Sequence, residues 1–249
     1  MIVDSFDIKT EPIISPGACY GEQRHICETC IVIFSKVIYE NVMRSFSCEK
    51  IAEIGACNGN VPVYAFTYRD QKIAFYLSGI GSTLAATDVL EANWLTGATR
   101  FIMFGSAGSL NQQKTQGRYV VPTEAYRDEG MSYHYAAPSD YIAISEADTV
   151  AGIFDRLKVP YVKGRVWTTD AFYRETHGLM EKRVSEGCIA VEMELAGVQA
   201  VCTFHGFKLY NFLMTGDVLD QPEYSLDGLD EANHSLEKFD LALEIAMQI

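Results

Sequence analysis

A chain of 249 residues, 48% of them apolar, carries enough material for one large buried core or two small ones. Twenty basic residues against thirty-three acidic ones leave a net charge of −13 with no lysine or arginine cluster, which argues against a nucleic-acid partner and reads as a solubility feature. No apolar run approaches the roughly 18 residues of a membrane span, and the acidic opening MIVDSFDIKTEP lacks the apolar core of a secretory leader.

Seven cysteines, at 19, 27, 30, 48, 57, 188 and 202, are an odd and scattered set. The one CxxC, Cys27 to Cys30, has no second pair to complete a tetrahedral zinc site, and Cys30 opens a strand rather than the strand-to-helix turn of a redox motif. Reduced, mostly buried thiols in a cytoplasmic protein are expected, with no metal and no cofactor.

In chain order, CIVIF (30–34) reads as a buried strand, followed by a helix over SKVIYENVMRSF. VPVYAFTYRD and KIAFYLSG form an antiparallel pair turning at Asp70-Gln71. Residues 82–98 have helical spacing, with Ser82 as the N-cap and Gly97 at the C-terminal end. RFIMFGSAGS (100–109) is a strand entering a glycine-rich turn, and GRYVVPTEAY (117–126) is a further strand. A helix over 150–158 precedes a strand over 162–170; CIAVEMELAGVQAVC (188–202) runs from strand into helix. A strand over 207–217 leads to one C-terminal helix from about 228 to 249. This alternation predicts a single α/β domain, residues 1–249, with a central mixed β-sheet flanked by helices.

In such sheets ligands lie beyond the carboxyl ends of strands. Four strand ends carry unusual residues. SGIGS (78–82) and FGSAGSL (104–110) are small enough for backbone N–H groups to approach an anion, yet match neither the dinucleotide nor the P-loop pattern. TTDAFY (168–173) offers Phe172, an ordinary core aromatic by itself. LMTGDVLD (213–220) puts Asp217 after a glycine, as a helix N-cap or a positioned acid. Glu192 and Glu194, in the 188–202 stretch, suit an acidic first helical turn.

Together SGIGS, FGSAG, RYVVPTEAYRDEG, TTDAFY, VEMELAG and GDV resemble the nucleoside phosphorylase/nucleosidase superfamily, from about Ile31 to the C-terminal helix. That superfamily includes purine nucleoside phosphorylases, uridine phosphorylases and methylthioadenosine/S-adenosylhomocysteine nucleosidases. The first thirty residues lie outside the resemblance. It implies cleavage of a nucleoside's N-glycosidic bond through a cationic sugar. Glu194 matches the carboxylate that holds the ribose hydroxyls, and Met193 the thioether against the sugar face. Asp217 matches the acid at the departing base, Phe172 the ring stacked on it, and Ser106 and Gly81 the donors near the nucleophile. His134, in the aromatic loop 126–141, is a candidate for the sugar's 5′ hydroxyl.

The resemblance also implies phosphate-binding arginines, and these positions are occupied by Met103, Glu40 and a residue near Gly59. Glu40 matches instead a glutamate that activates water in the hydrolytic branch. Lys36, Arg24, Arg118, Arg127 and Arg174 are other cations from which a phosphate site could be built. Phosphorolysis of a purine nucleoside to base and ribose-1-phosphate, with inorganic phosphate as co-substrate, and hydrolysis both stay open at this point. So does a nucleoside-binding protein without turnover. A homo-oligomer follows from the resemblance alone.

Overall fold

The computed structural model describes residues 1–55, 57, 59–221 and 223–249. Within them the strands are β1 (Thr29–Ile33), β2 (Glu49–Ile54), β3 (Val61–Tyr68), β4 (Gln71–Leu77), β5 (Arg100–Ser109), β6 (Tyr119–Asp128), β7 (Tyr141–Ala143), β8 (Tyr161–Thr169), β9 (Cys188–Glu192) and β10 (Lys208–Val218). The helices are α1 (Pro16–Tyr20), α2 (Lys36–Ser45), α3 (Ser82–Thr96), α4 (Gln112–Thr115), α5 (Ser132–Tyr135), α6 (Ala147–Leu157), α7 (His177–Ser185), α8 (Leu195–His205), α9 (Leu229–His234) and α10 (Glu237–Ala246).

All ten strands join one mixed sheet, ordered β10-β6-β8-β9-β5-β1-β4-β3-β2, with β7 beside β6. Because β10 also pairs with β5, the strands β10, β6, β8, β9 and β5 close into a ring, and the remainder of the sheet extends from β5. Closure removes the free edges that the long strands β5 and β10 would otherwise present. Every residue of β1 is buried, as its unbroken apolar run requires of a strand covered on both faces. The expected α/β architecture with a helix-flanked mixed sheet is what forms.

One detail of the ladder opens a gap in the sheet. Along one edge, β5 pairs in parallel with β10 over most of its length. Along its other edge Arg100–Met103 pair with β1, whereas Gly108 and Ser109 pair with β9, running the opposite way. Between these partners Phe104–Ala107 has no ladder neighbour on that edge, so β1 and β9 diverge and leave a notch. The topology of the sheet thereby creates the crevice at a switch of strand direction.

Three boundaries differ from the sequence reading. The β3–β4 turn is Arg69-Asp70, one residue earlier than expected, because Tyr68 pairs with Gln71. Both turn residues have positive φ, 44° and 68°, the conformation whose twist matches a two-residue hairpin. The cap of α3 is Gly81 (φ 102°), and Ser82 is the first helical residue. The C-terminal helix is two helices, because the chain leaves helical geometry at Ser235 (ψ 118°). No proline or glycine marks that break. Lys238 instead donates to the Ala232 and Asn233 carbonyls, which a continuous helix would have satisfied with its own N–H groups.

Among the described residues no helix is long and apolar enough to cross a membrane, and no cluster of His, Cys, Asp and Glu could hold a metal ion. The cysteines are free thiols; burial pushes Cys27 up to about 11 and Cys202 well above the usual thiol range.

Candidate active site

The notch holds three adjoining cavities of about 410, 120 and 200 Å³. The first and second share Phe172, Glu175 and Asp217. The second and third share Ile80 and Ser106. They make one cleft, floored by residues 104–108 of β5.

The central cavity is built around the end of β9. Glu192 is the last strand residue and 5% exposed; its Oε2 accepts from the N–H groups of Glu194 (2.8 Å) and Leu195 (2.7 Å). It therefore caps the N-terminus of α8, where the helix dipole favours an acid. Its Oε1 takes the Thr168 hydroxyl, and Thr168 Oγ1 in turn accepts from Ala196 N–H at 3.1 Å. The acidic-first-turn reading thus describes Glu192, which is structural.

Glu194 is different. As the N-cap residue of α8 it makes no side-chain bond to its own helix. Its Oε1 instead accepts from Gly81 N–H at 2.7 Å across the cleft wall. The positive φ of Gly81 aims that amide, and Ser82 Oγ fixes the same contact by donating to the carbonyls of Met193 (3.1 Å) and Glu194 (3.4 Å). The Met193 backbone N–H also faces this carboxylate and, like that of Gly81, favours its charged form. Burial raises the pKa of both Glu192 and Glu194, and their proximity raises Glu192 further. Burying one acid as a cap and the next as a positioned acceptor answers why carboxylates interrupt this apolar stretch.

The larger cavity is aromatic and acidic. Phe172, in a short 3-10 turn after β8, is 42% exposed, an unusual position for a large aromatic with only a packing role. Asp217 lies near the end of β10, 5% exposed, and Tyr224 donates to its Oδ2 at 2.9 Å. A Cβ on Gly108 would come within 2.6 Å of Leu219, 2.9 Å of Val191 and 3.4 Å of the Asp217 carboxylate, so glycine lets β5 pass close beneath that acid. Glu175 faces the same space; burial, with the nearby Asp217 charge adding to it, pushes its carboxyl up to about 7.

The third cavity is lined by Ser35, Ser106, Asn233, His234 and Lys238. Ser106 donates to Asn233 Oδ1, and Ser35 Oγ shares a 2.8 Å hydrogen bond with His234 Nδ1.

Met193, Glu194, Phe172, Asp217 and Ser106 therefore converge from separate elements. Gly81 joins them through its bond to Glu194, with its amide engaged there rather than held open for an anion. Two expected residues are not brought in. Glu40 lies on the outer side of α2, exposed, 3.7 Å from Lys36 one helical turn away, while Ile38 of the same helix turns inward to the cleft. His134 is exposed on α5 and lines none of the three cavities. Met103 is core, 1% exposed. The other cations are occupied elsewhere: Arg127 braces the 132–139 loop through Ser132 (2.8 Å) and Ala137 (2.7 Å), Arg24 bonds Ile51 and Arg118 bonds Lys114. Arg174 is exposed outside the cavity linings.

Sequence reasoning missed Glu175, Tyr224, Asn233, His234 and Lys238. A signal for Lys238 was present. It stands at i, i+4 and i+8 with Ala242 and Ala246, a charge on the apolar face of its helix.

With fold and site in view, the chain belongs to the phosphorylase superfamily, whose family model matches residues 31–248. This is a family of enzymes acting on nucleosides. Among curated relatives, a purine nucleoside phosphorylase DeoD-type 2 of Aliivibrio fischeri is 26% identical over 189 residues, covering 75% of this chain and 80% of that protein. A guanosine phosphorylase of Halorubrum lacusprofundi is 29% identical over 162 residues, covering 63% of this chain and 66% of the relative. Among solved structures, the futalosine hydrolase of Helicobacter pylori superposes with a TM-score of 0.72 at 16% identity, over 90% of this chain and 99% of that one. The 5′-methylthioadenosine/S-adenosyl homocysteine nucleosidase of Helicobacter pylori does so with a TM-score of 0.72 at 17% identity, over 91% and 100%. These superpositions establish the shared fold.

Proposed function

We propose that the protein cleaves the N-glycosidic bond of a purine nucleoside by phosphorolysis, yielding the free base and ribose-1-phosphate. The observation that carries this reading is the convergence of Glu194, Met193, Phe172, Asp217 and Ser106 on one cleft. The sugar lies in the central cavity, its hydroxyls donating to the Glu194 carboxylate, and these bonds strengthen as positive charge develops on the ring. Met193 packs against the sugar. The base occupies the larger cavity against Phe172, and Asp217 gives a proton to the purine as the bond to the sugar breaks. Phosphate attacks from the Ser106 side and forms the new bond to the sugar carbon.

Support comes from the names of the curated relatives, purine nucleoside and guanosine phosphorylases. The exposed position of Glu40 favours phosphorolysis over hydrolysis, because the side chain expected to activate water stands outside the cleft. A homo-oligomer in the cytoplasm belongs to the same proposal, checked by light scattering on the purified chain.

The test is a panel of purine and pyrimidine nucleosides incubated with and without inorganic phosphate, with the sugar product identified. Ribose-1-phosphate formed only with phosphate, from purine nucleosides, is expected. Free ribose formed at the same rate without phosphate refutes phosphorolysis. Measurable nucleoside binding without turnover refutes catalysis.

A further inference from the structure

Lys238 is a lysine with 1% of its surface exposed, on the face of α10 that packs under the sheet. Its ammonium donates to the Ala232 carbonyl and, at 3.5 Å, to that of Asn233; its Nζ sits 5.9 Å from the centre of the Phe104 ring. All of these partners are neutral. Among the described residues no carboxylate lies within ion-pair distance of it. A buried charge without a counter-charge is costly, and burial accordingly pushes this ammonium down to about 8. Capping the last carbonyls of α9 accounts for two of its three protons. It does not account for a full charge, which a glutamine or water could replace.

Lys238 borders the cavity of about 200 Å³ that meets the sugar cavity at Ser106 and Ile80. That volume is several times the ~30 Å³ a water occupies in the liquid. The polar side chains around it, Ser35, Ser106, Asn233, His234 and Lys238, are donor-rich, and no carboxylate lines it. His234 Nε2 lies 3.7 Å from the exposed Asp230, outside the cavity lining.

We propose that Lys238, aided by His234 and Ser106, supplies the positive charge that holds the phosphate co-substrate, taking the part of the absent arginines. This assignment rests on the phosphorolytic reading above. The ligand is a phosphoryl oxyanion, and two sources share that chemistry: inorganic phosphate and the 5′-phosphate of a nucleotide. Contact between this cavity and the Ser106 side of the sugar cavity favours inorganic phosphate.

The experiment uses the full chain and Lys238→Gln, which keeps a donor for the α9 carbonyls and removes the charge. Removing one partner of a buried charge pair costs about 2 kcal/mol or more, so the phosphate KM is expected to rise at least ~30-fold. The nucleoside KM should stay within about threefold, since that substrate's contacts are untouched. Inorganic phosphate alone should raise the melting temperature of the wild type by mass action and not that of the variant. If Lys238→Gln does not fold, His234→Ala, which alters a part-exposed residue, takes its place with a smaller expected rise in phosphate KM and a reduced phosphate stabilisation. Phosphate-dependent cleavage with an unchanged phosphate KM in the variants overturns the lysine's role and leaves the nucleoside reading intact. Absence of all cleavage, with Lys238-dependent phosphate stabilisation retained, does the reverse. Lys238-dependent cleavage of a purine nucleoside 5′-monophosphate, with no response to inorganic phosphate, overturns the co-substrate assignment.

Discussion

Glu194→Gln changes one oxygen for one NH₂ group at the residue proposed to hold the ribose. In the structure Oε1 is committed to Gly81 N–H at 2.7 Å, a bond that requires an acceptor. Glutamine must therefore place its own oxygen there and turn its amide toward the cleft. Ribose hydroxyl protons then meet a donor where they had met a carboxylate. Hydrogen bonds to a charged group contribute about 1.5–3 kcal/mol each. Counting one such loss, because a hydroxyl can present its oxygen to the amide instead, kcat/KM for the preferred nucleoside should fall roughly 10- to 150-fold. Folding is expected to survive, since the substitution also removes a like charge beside the buried Glu192. The assay is steady-state kinetics with the ribonucleoside and its 2′-deoxy analogue, alongside thermal melting. The deoxy analogue should discriminate less between variant and parent if its missing hydroxyl is one that Glu194 holds. A Gln variant within threefold of the parent on the ribonucleoside, with an unchanged melting temperature, refutes the sugar-holding role.

Phe172→Ala removes a ring already 42% exposed, so the melting temperature should move little while the nucleoside KM rises about 5- to 150-fold, from ~1–3 kcal/mol of lost base stacking; an unchanged KM in kinetics would place the base elsewhere. Glu40→Gln should leave kcat and KM within about twofold, because its contact is an exposed pair with Lys36 worth at most about 1 kcal/mol; a loss of a hundredfold or more would return this residue to the chemistry. Glu175 holds its proton in the folded protein up to about pH 7 and releases it in the unfolded chain near the ordinary carboxylate range. Its contribution to stability is therefore full below that range and is lost as pH rises toward 7. Denaturant melts of Glu175→Gln between pH 4.5 and 8 should show a weaker decline than the parent; parallel curves would contradict the assignment.

Much of the site was legible because its residues sit at strand ends and carry motifs whose chemistry is local. Glu194, Met193, Asp217, Phe172 and Ser106 were marked out by the resemblance of their motifs to a family; taken singly, Glu194, Asp217 and Phe172 each had an ordinary structural reading. The residues that escaped are those placed by distant pairing. Glu40 and Ile38 are two positions apart on α2, and only the packing of that helix decides which of them faces the cleft. The break between α9 and α10 follows from a side chain that caps the preceding helix, which propensity does not register. Asn233 and His234, at the end of α9 beside that break, meet Ser106 and Ser35 more than a hundred residues away.

The divergence of β1 and β9 from the edge of β5 has a consequence for how such a protein changes over time. The floor of the cleft includes Phe104–Ala107, the stretch of β5 that strand order leaves without a neighbour on that edge. A single substitution leaves the strand order, and with it the gap, in place. The groups along its rim are free to be exchanged one at a time while the floor persists. In the proposed arrangement the cation missing from β5 at Met103 is supplied by Lys238 of α10, while Glu194 keeps its place across the cleft.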